Sequence, residues 1–167
     1  MKTIRLFPLE LRRLLQSRPT WLILLLTVAS PVLGLTLYQP TSADTMLSLY
    51  LANPSIAGGA AGGILFGLLT IYELDRVGRS RADALMDAAV SPLTMALVRL
   101  LALLAAAVMT AAITMLVWLP ISMRLIGSVF GGVDYALAYL LLMGLALPLS
   151  ILAAAAAYQF TRRVDLS

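Results

Sequence analysis

The sequence predicts an all-α membrane protein, a polytopic bundle of four transmembrane helices. Three observations predict it. Of 167 residues, 61% are hydrophobic and only 12% charged, with a mean hydropathy of +0.96, which leaves too few charges to coat a soluble domain. The charges cluster and leave four uncharged runs, Pro19–Ala43, Thr45–Tyr72, Leu100–Met123 and Tyr135–Thr161, of 25, 28, 24 and 27 residues. A bilayer core of about 30 Å takes roughly 20 apolar residues of helix, so each run suffices for one crossing and none for two. The runs are continuously apolar rather than alternating, which argues against a β-barrel.

Residues 1–18 form an interfacial amphipathic segment, with Ile4, Phe7, Leu11, Leu14 and Leu15 at helical spacing and most of the basic residues elsewhere on the wheel. Two roles fit: a helix in the headgroup plane, or a plain basic flank. Pro8 kinks it or marks its start. The transmembrane domain then covers 19–161, with spans near Trp21–Tyr38, Ser55–Tyr72, Thr94–Leu119 and Ala136–Tyr158, and 162–167 form a tail. The first run is longer than a signal-peptide core and has some twenty residues before it, so it is expected to be retained as a span. Pro31 and Gly34 predict a kink in span one. Asn53-Pro54 reads as a turn opening span two, and Pro120 as the end of span three.

Orientation follows from basic residues in short flanks. Eleven of the twelve lysines and arginines lie in the N-terminal segment, the loop after span two with the start of span three, and the tail; Arg124 alone lies on the other side. Both termini are therefore expected in the cytoplasm. The net charge of +4 is a topology signal, and no nucleic-acid partner is inferred from it.

Span two carries Ser55, Gly59, Gly63 and Gly67 every four residues, a stripe almost free of side chains. Lipid offers no hydrophobic drive between helices, so such a stripe marks close backbone approach to another helix, of this chain or of a second copy. The loop Glu73–Pro92 reads ELDRVGRSRADALMDAAVSP. Ser80 caps a short helix with Asp83 three residues on. Ala82, Leu85, Met86, Ala89 and Val90 fall on one face, and Asp83 and Asp87 on the other. Three basic residues meet four acidic ones, Glu73, Asp75, Asp83 and Asp87. That is not the polybasic pattern of an anionic-lipid binder, and it favours a cytoplasmic partner in contact with the helix at 80–90.

The composition also excludes chemistry. There is no cysteine and no histidine, so disulfides, thiolate nucleophiles, the usual general base and the usual metal ligands are missing. No metal site and no cofactor is predicted. Lys2 is the only lysine, and a P-loop needs one after its glycine-rich turn. No span holds an ionisable residue near its middle, where ion relays would sit. The hydroxyls of Thr27, Ser30, Thr70, Thr110, Thr114 and Ser150 are expected to bond to their own helices.

The order of features resembles the type-2 ABC exporter permease family of bacteria. The resemblance lies in ELRRLLQSRPTWLILLL leading into span one, GGAAGGILFGLLTIYE in span two, and ELDRVGRSRADALMDAAVSPLTMALVRLLALL running into span three. In that family an acidic residue follows span two, and a short coupling helix ends in a small-residue–proline step before a third span containing a basic residue. Glu73, the helix Ser80–Val90, Ser91-Pro92 and Arg99 occupy those positions. Family permeases commonly have six spans where this chain shows four, and a glutamate-rich loop where it has Arg76, Arg79 and Arg81. The chain would thus be a fragment or a reduced member.

The resemblance implies a permease without catalytic residues of its own, in the bacterial plasma membrane. It would be coupled to a separate ATP-binding subunit and paired with a second permease copy or a related permease. Glu73, Arg79, Asp83, Leu85, Met86, Asp87 and Ala89 would carry the coupling contact. The alternative is a non-transporting scaffold or assembly subunit that binds other membrane proteins through the glycine stripe.

Overall fold

The computed structural model describes residues 2–36, 46–79, 91–127 and 130–164. Its helices are α1 (Lys2–Leu15), α2 (Arg18–Ala29), α3 (Pro31–Thr36), α4 (Met46–Arg79), α5 (Pro92–Ile126), α6 (Gly132–Ala138) and α7 (Gly144–Val164), with a π-helical turn at Tyr139–Met143 between the last two. Four helical stretches are long and apolar enough to cross a membrane: Arg18–Thr36, Leu51–Arg76, Leu93–Ile126 and Gly132–Thr161. Large apolar side chains point outward along all four, among them Leu25, Ile64, Leu116 and Leu149. Such a surface is tolerable in lipid and ruinous in water. The chain is a polytopic all-α membrane bundle. The predicted helix at 80–90 lies outside the described residues.

The prolines behave differently from one another. At Pro31 the first span breaks into α2 and α3, and the Ser30 N–H and hydroxyl both turn back to the Thr27 carbonyl, at 3.3 and 2.7 Å. The kink predicted there is present. Pro54, expected to open span two, instead lies inside α4, which begins at Met46. The Ser55 hydroxyl donates to the carbonyls of Leu51 and Ala52, at 3.2 and 2.8 Å, close to where the proline ring removes a donor. Pro120 does not end span three either, since α5 continues to Ile126. The physical reason is shared. At membrane depth no water takes up released backbone groups, so stopping the helix costs more than one missing bond. Ser91-Pro92 starts α5, the Thr94 N–H donating to Ser91 Oγ at 3.3 Å with Pro92 in the first turn; the helix expected to end there lies outside the described residues.

The glycine stripe of α4 lies against the fourth span of the same chain. A Cβ added at Gly59 would lie 2.6 Å from the Leu142 carbonyl oxygen, one at Gly63 would lie 3.6 Å from Ser150 Cβ, and one at Gly67 would lie 3.9 Å from Ala154 Cβ. Ala146, Ser150 and Ala154 are themselves small and recur every four residues, so two small-residue rows interlock. The neighbouring pair Gly58 and Gly62 sits between the first and fourth spans, against Pro31 and Thr27 of the first and the side chains of Met143 and Leu147 of the fourth.

The fourth span buries Tyr135, Tyr139, Met143, Leu147 and Ile151, a row with a constant step of four. At 3.6 residues per turn each such step overshoots by about 40°. The π turn, with its wider i→i+5 spacing, takes up part of that drift and keeps both halves of the row facing Phe66 and Leu69 of α4 in one core. Two side chains tie the helices together. Trp118 Nε1 donates to the Val28 carbonyl at 2.8 Å, and the Tyr135 hydroxyl donates to the Met115 carbonyl at 2.6 Å. Ser30, Thr70, Thr110, Thr114 and Ser150 bond to carbonyls of their own helices as expected. Thr27 does not; its buried hydroxyl has no hydrogen bond.

Candidate functional site

At the end of the bundle where α1, α4, α5 and α7 meet, five charged side chains form one cluster. It begins with α1. Leu14 is buried against the bundle, and Glu10, one turn earlier on the same inward face, is buried with it. Arg13, three residues after Glu10, sits between two carboxylates. Its Nε donates to Glu10 Oε2 at 2.7 Å, and its Nη2 donates to Glu73 Oε2 at 2.9 Å. Glu73 lies on the last two turns of α4 and is only 5% exposed. Arg76, one turn on, approaches Glu73 Oε1 at 3.6 Å, and Arg99 of α5 approaches Glu10 Oε1 at 3.9 Å. One guanidinium therefore joins α1 to span two across 60 residues of sequence, while Glu10 faces span three.

Among the described residues, three guanidiniums and two carboxylates meet here, with Arg13 between the two acids. Burial by itself would weaken the Arg13 cation. The hydrogen bond and charge of Glu10, and then those of Glu73, outweigh that effect and hold its pKa above the ordinary value. Arg13 is thus a permanent cation, two-thirds buried, whose loss would strand two carboxylates in a poorly solvated place.

Beside the cluster lies a cavity of about 160 Å³. Its polar wall is Glu10, Arg13, Thr70, Glu73, Arg99 and Gln159; the rest is apolar, from Leu14, Leu74, Leu93, Ala96, Leu97, Leu100, Leu103 and Ala155. Leu93 and Leu97 are among the most outward-facing leucines of α5, so the mouth opens beside lipid. Chemically the arrangement is an ionic tether beside a recess with one polar wall.

Of the residues singled out from sequence, Glu73 lies inside this cluster, turned inward. Arg79 is the last residue of α4. Asp83, Leu85, Met86, Asp87 and Ala89 lie outside the described residues. Ser55, Gly59, Gly63 and Gly67 lie along α4, away from the cluster. The sequence reading missed Glu10 and Arg13 as partners of Glu73. A signal was present: Glu10/Arg13 and Glu73/Arg76 are two acid–base pairs at i,i+3, each at a membrane boundary. Comparisons with protein-family models, with curated proteins and with solved structures find no match.

Proposed function

We propose that the chain is the membrane-spanning permease subunit of an ATP-driven exporter, with ATP hydrolysed by a separate subunit and none of the catalysis in this chain. One observation supports this reading above the others. In the sequence, 80–90 is the stretch that links α4 to α5, and the end of α4 is ion-paired to α1 through Arg13 and Glu73. A displacement of that segment by a cytoplasmic ATPase would move spans two and three directly and the interfacial helix through one guanidinium. In this reading Arg79, Asp83, Leu85, Met86, Asp87 and Ala89 touch the ATPase, and Glu73 passes the movement on. Both termini face the cytoplasm of a bacterial plasma membrane, in keeping with the distribution of arginines, and a second permease copy or a related one completes the route.

The scaffold reading has lost its main support, because α7 of the same chain already covers Gly59, Gly63 and Gly67. The test is co-purification of the chain, tagged at its C-terminus, from its native membrane. A stoichiometric nucleotide-binding subunit, lost on Leu85→Glu with Met86→Glu while insertion persists, is expected. An intact complex without an ATPase would overturn the proposal.

A further inference from the structure

We propose that the cavity beside the ionic cluster is a binding site for a zwitterionic aminophospholipid of the phosphatidylethanolamine type, with its ammonium against Glu73. The site does not depend on the exporter reading. It rests first on Glu73 Oε1. This oxygen is buried and accepts no hydrogen bond, and its nearest cation, Arg76 Nη1, stays at 3.6 Å. A buried carboxylate oxygen without a donor is costly, and Glu73 forms part of the cavity wall. A ligand that brings an N–H or O–H there removes the cost.

The remaining walls define what carries the donor. They are leucine and alanine, and the mouth is flanked by Leu93 and Leu97, which are 72% and 49% exposed. An amphiphile whose tail follows those leucines into the bilayer fits them; a free polar solute does not. Size sets the next limit. A cavity of about 150 Å³ accepts a benzene-sized molecule, so 160 Å³ admits the ethanolamine arm and leaves the phosphate at the rim.

Charge completes the choice. The wall offers both signs, the donorless oxygen of Glu73 and the guanidinium of Arg13. A zwitterion meets both, its ammonium at Glu73 and its phosphate at the third of the Arg13 side chain that remains exposed. Phosphatidylcholine has the same charges but no N–H to donate. Phosphatidylglycerol has hydroxyl donors and an uncompensated negative charge. The two lipids therefore separate the donor requirement from the charge requirement.

The experiment reconstitutes the full chain in bilayers of equal parts phosphatidylethanolamine, phosphatidylcholine and phosphatidylglycerol. It then extracts the chain gently and measures lipid retained per chain by mass spectrometry. Phosphatidylethanolamine should exceed phosphatidylcholine about tenfold, the scale of one charge-assisted hydrogen bond. Glu73→Gln should abolish the preference. Ala96→Phe fills the mouth from α5 without touching an ion pair, and should also return the ratio to that of the bilayer. It thereby keeps the test valid if Glu73→Gln fails to fold. Equal retention of the two zwitterionic lipids, a preference for phosphatidylglycerol, or phosphatidylethanolamine retention unchanged by Ala96→Phe would each overturn the site. Co-purification of an ATPase is read on the same samples, so loss of one property is distinguishable from loss of the other.

Discussion

Alanine placed at successive glycines of α4 should produce a graded response set by the distance to the fourth span. At Gly59 the new Cβ falls 2.6 Å from the Leu142 carbonyl oxygen, a backbone atom that yields only if α7 moves. Overpacking of this kind costs about 1–3 kcal/mol. Alanine also recovers up to about 1 kcal/mol of helix propensity, so Gly59→Ala should be destabilising on balance, by up to about 2 kcal/mol. At Gly63 and Gly67 the nearest heavy atoms lie at 3.6 and 3.9 Å, ordinary contact distances. Those substitutions should be neutral or stabilising by up to about 1 kcal/mol. Gly62 falls between, because its clashes at 2.8 Å are with side-chain methyls of Leu147, which can move, and of Thr27, which is stiff at χ1. Reversible unfolding in bicelles gives the ordering. Equal losses at Gly59 and Gly67, or a greater loss at Gly67, would refute this account of the helix contact.

Other perturbations test other parts of the molecule. Arg13→Ala leaves Glu10 and Glu73 facing each other without their shared cation. Breaking a buried pair costs about 3–5 kcal/mol, and the partial exposure of Arg13 brings the expected loss to roughly 2–3; Arg13→Met with Glu73→Met should recover only part of it in the same bicelle assay, because Glu10 still lacks its closest donor. Trp118→Phe removes the bond to the Val28 carbonyl together with part of the buried indole, so a loss of at least about 0.5–1.5 kcal/mol is expected, measured by denaturation of the purified chain. Gly34→Ala places a Cβ against the Asn53 carbonyl and 2.7 Å from the Pro54 nitrogen; it should be the most damaging glycine substitution, visible as reduced yield of folded protein.

Much of the fold was legible because it follows from local rules. Clustered charges and long apolar runs mark four crossings whatever the crossings pack against. Helix ends were less legible. Proline reads as a boundary by the habits of soluble helices, and α4 and α5 run through Pro54 and Pro120 because lipid removes the solvent that would reward stopping. The stripe at Gly59, Gly63 and Gly67 announced a close contact but not its partner, since small residues show how near a neighbour comes and not which neighbour it is. The cluster was hidden for a different reason. Arg13 and Glu73 meet only because α1 folds back beside α4 and α5, a fact of tertiary packing with no periodicity to betray it.

The π turn at Tyr139–Met143 makes length itself a local property of the fourth span. A π turn holds one residue more than an α-helical turn in the same place. Deleting any one of Leu140, Leu141 or Leu142 would discharge that spare residue and leave regular helix, with Tyr135 and Ile151 still facing inward. The same deletion at Leu149 would rotate everything after it by about 100°, taking Ile151 off the core and Ala155 and Gln159 away from the recess. Within this span the loss of one residue is therefore absorbed only where it falls at 139–143, and there the helix on either side keeps its facing.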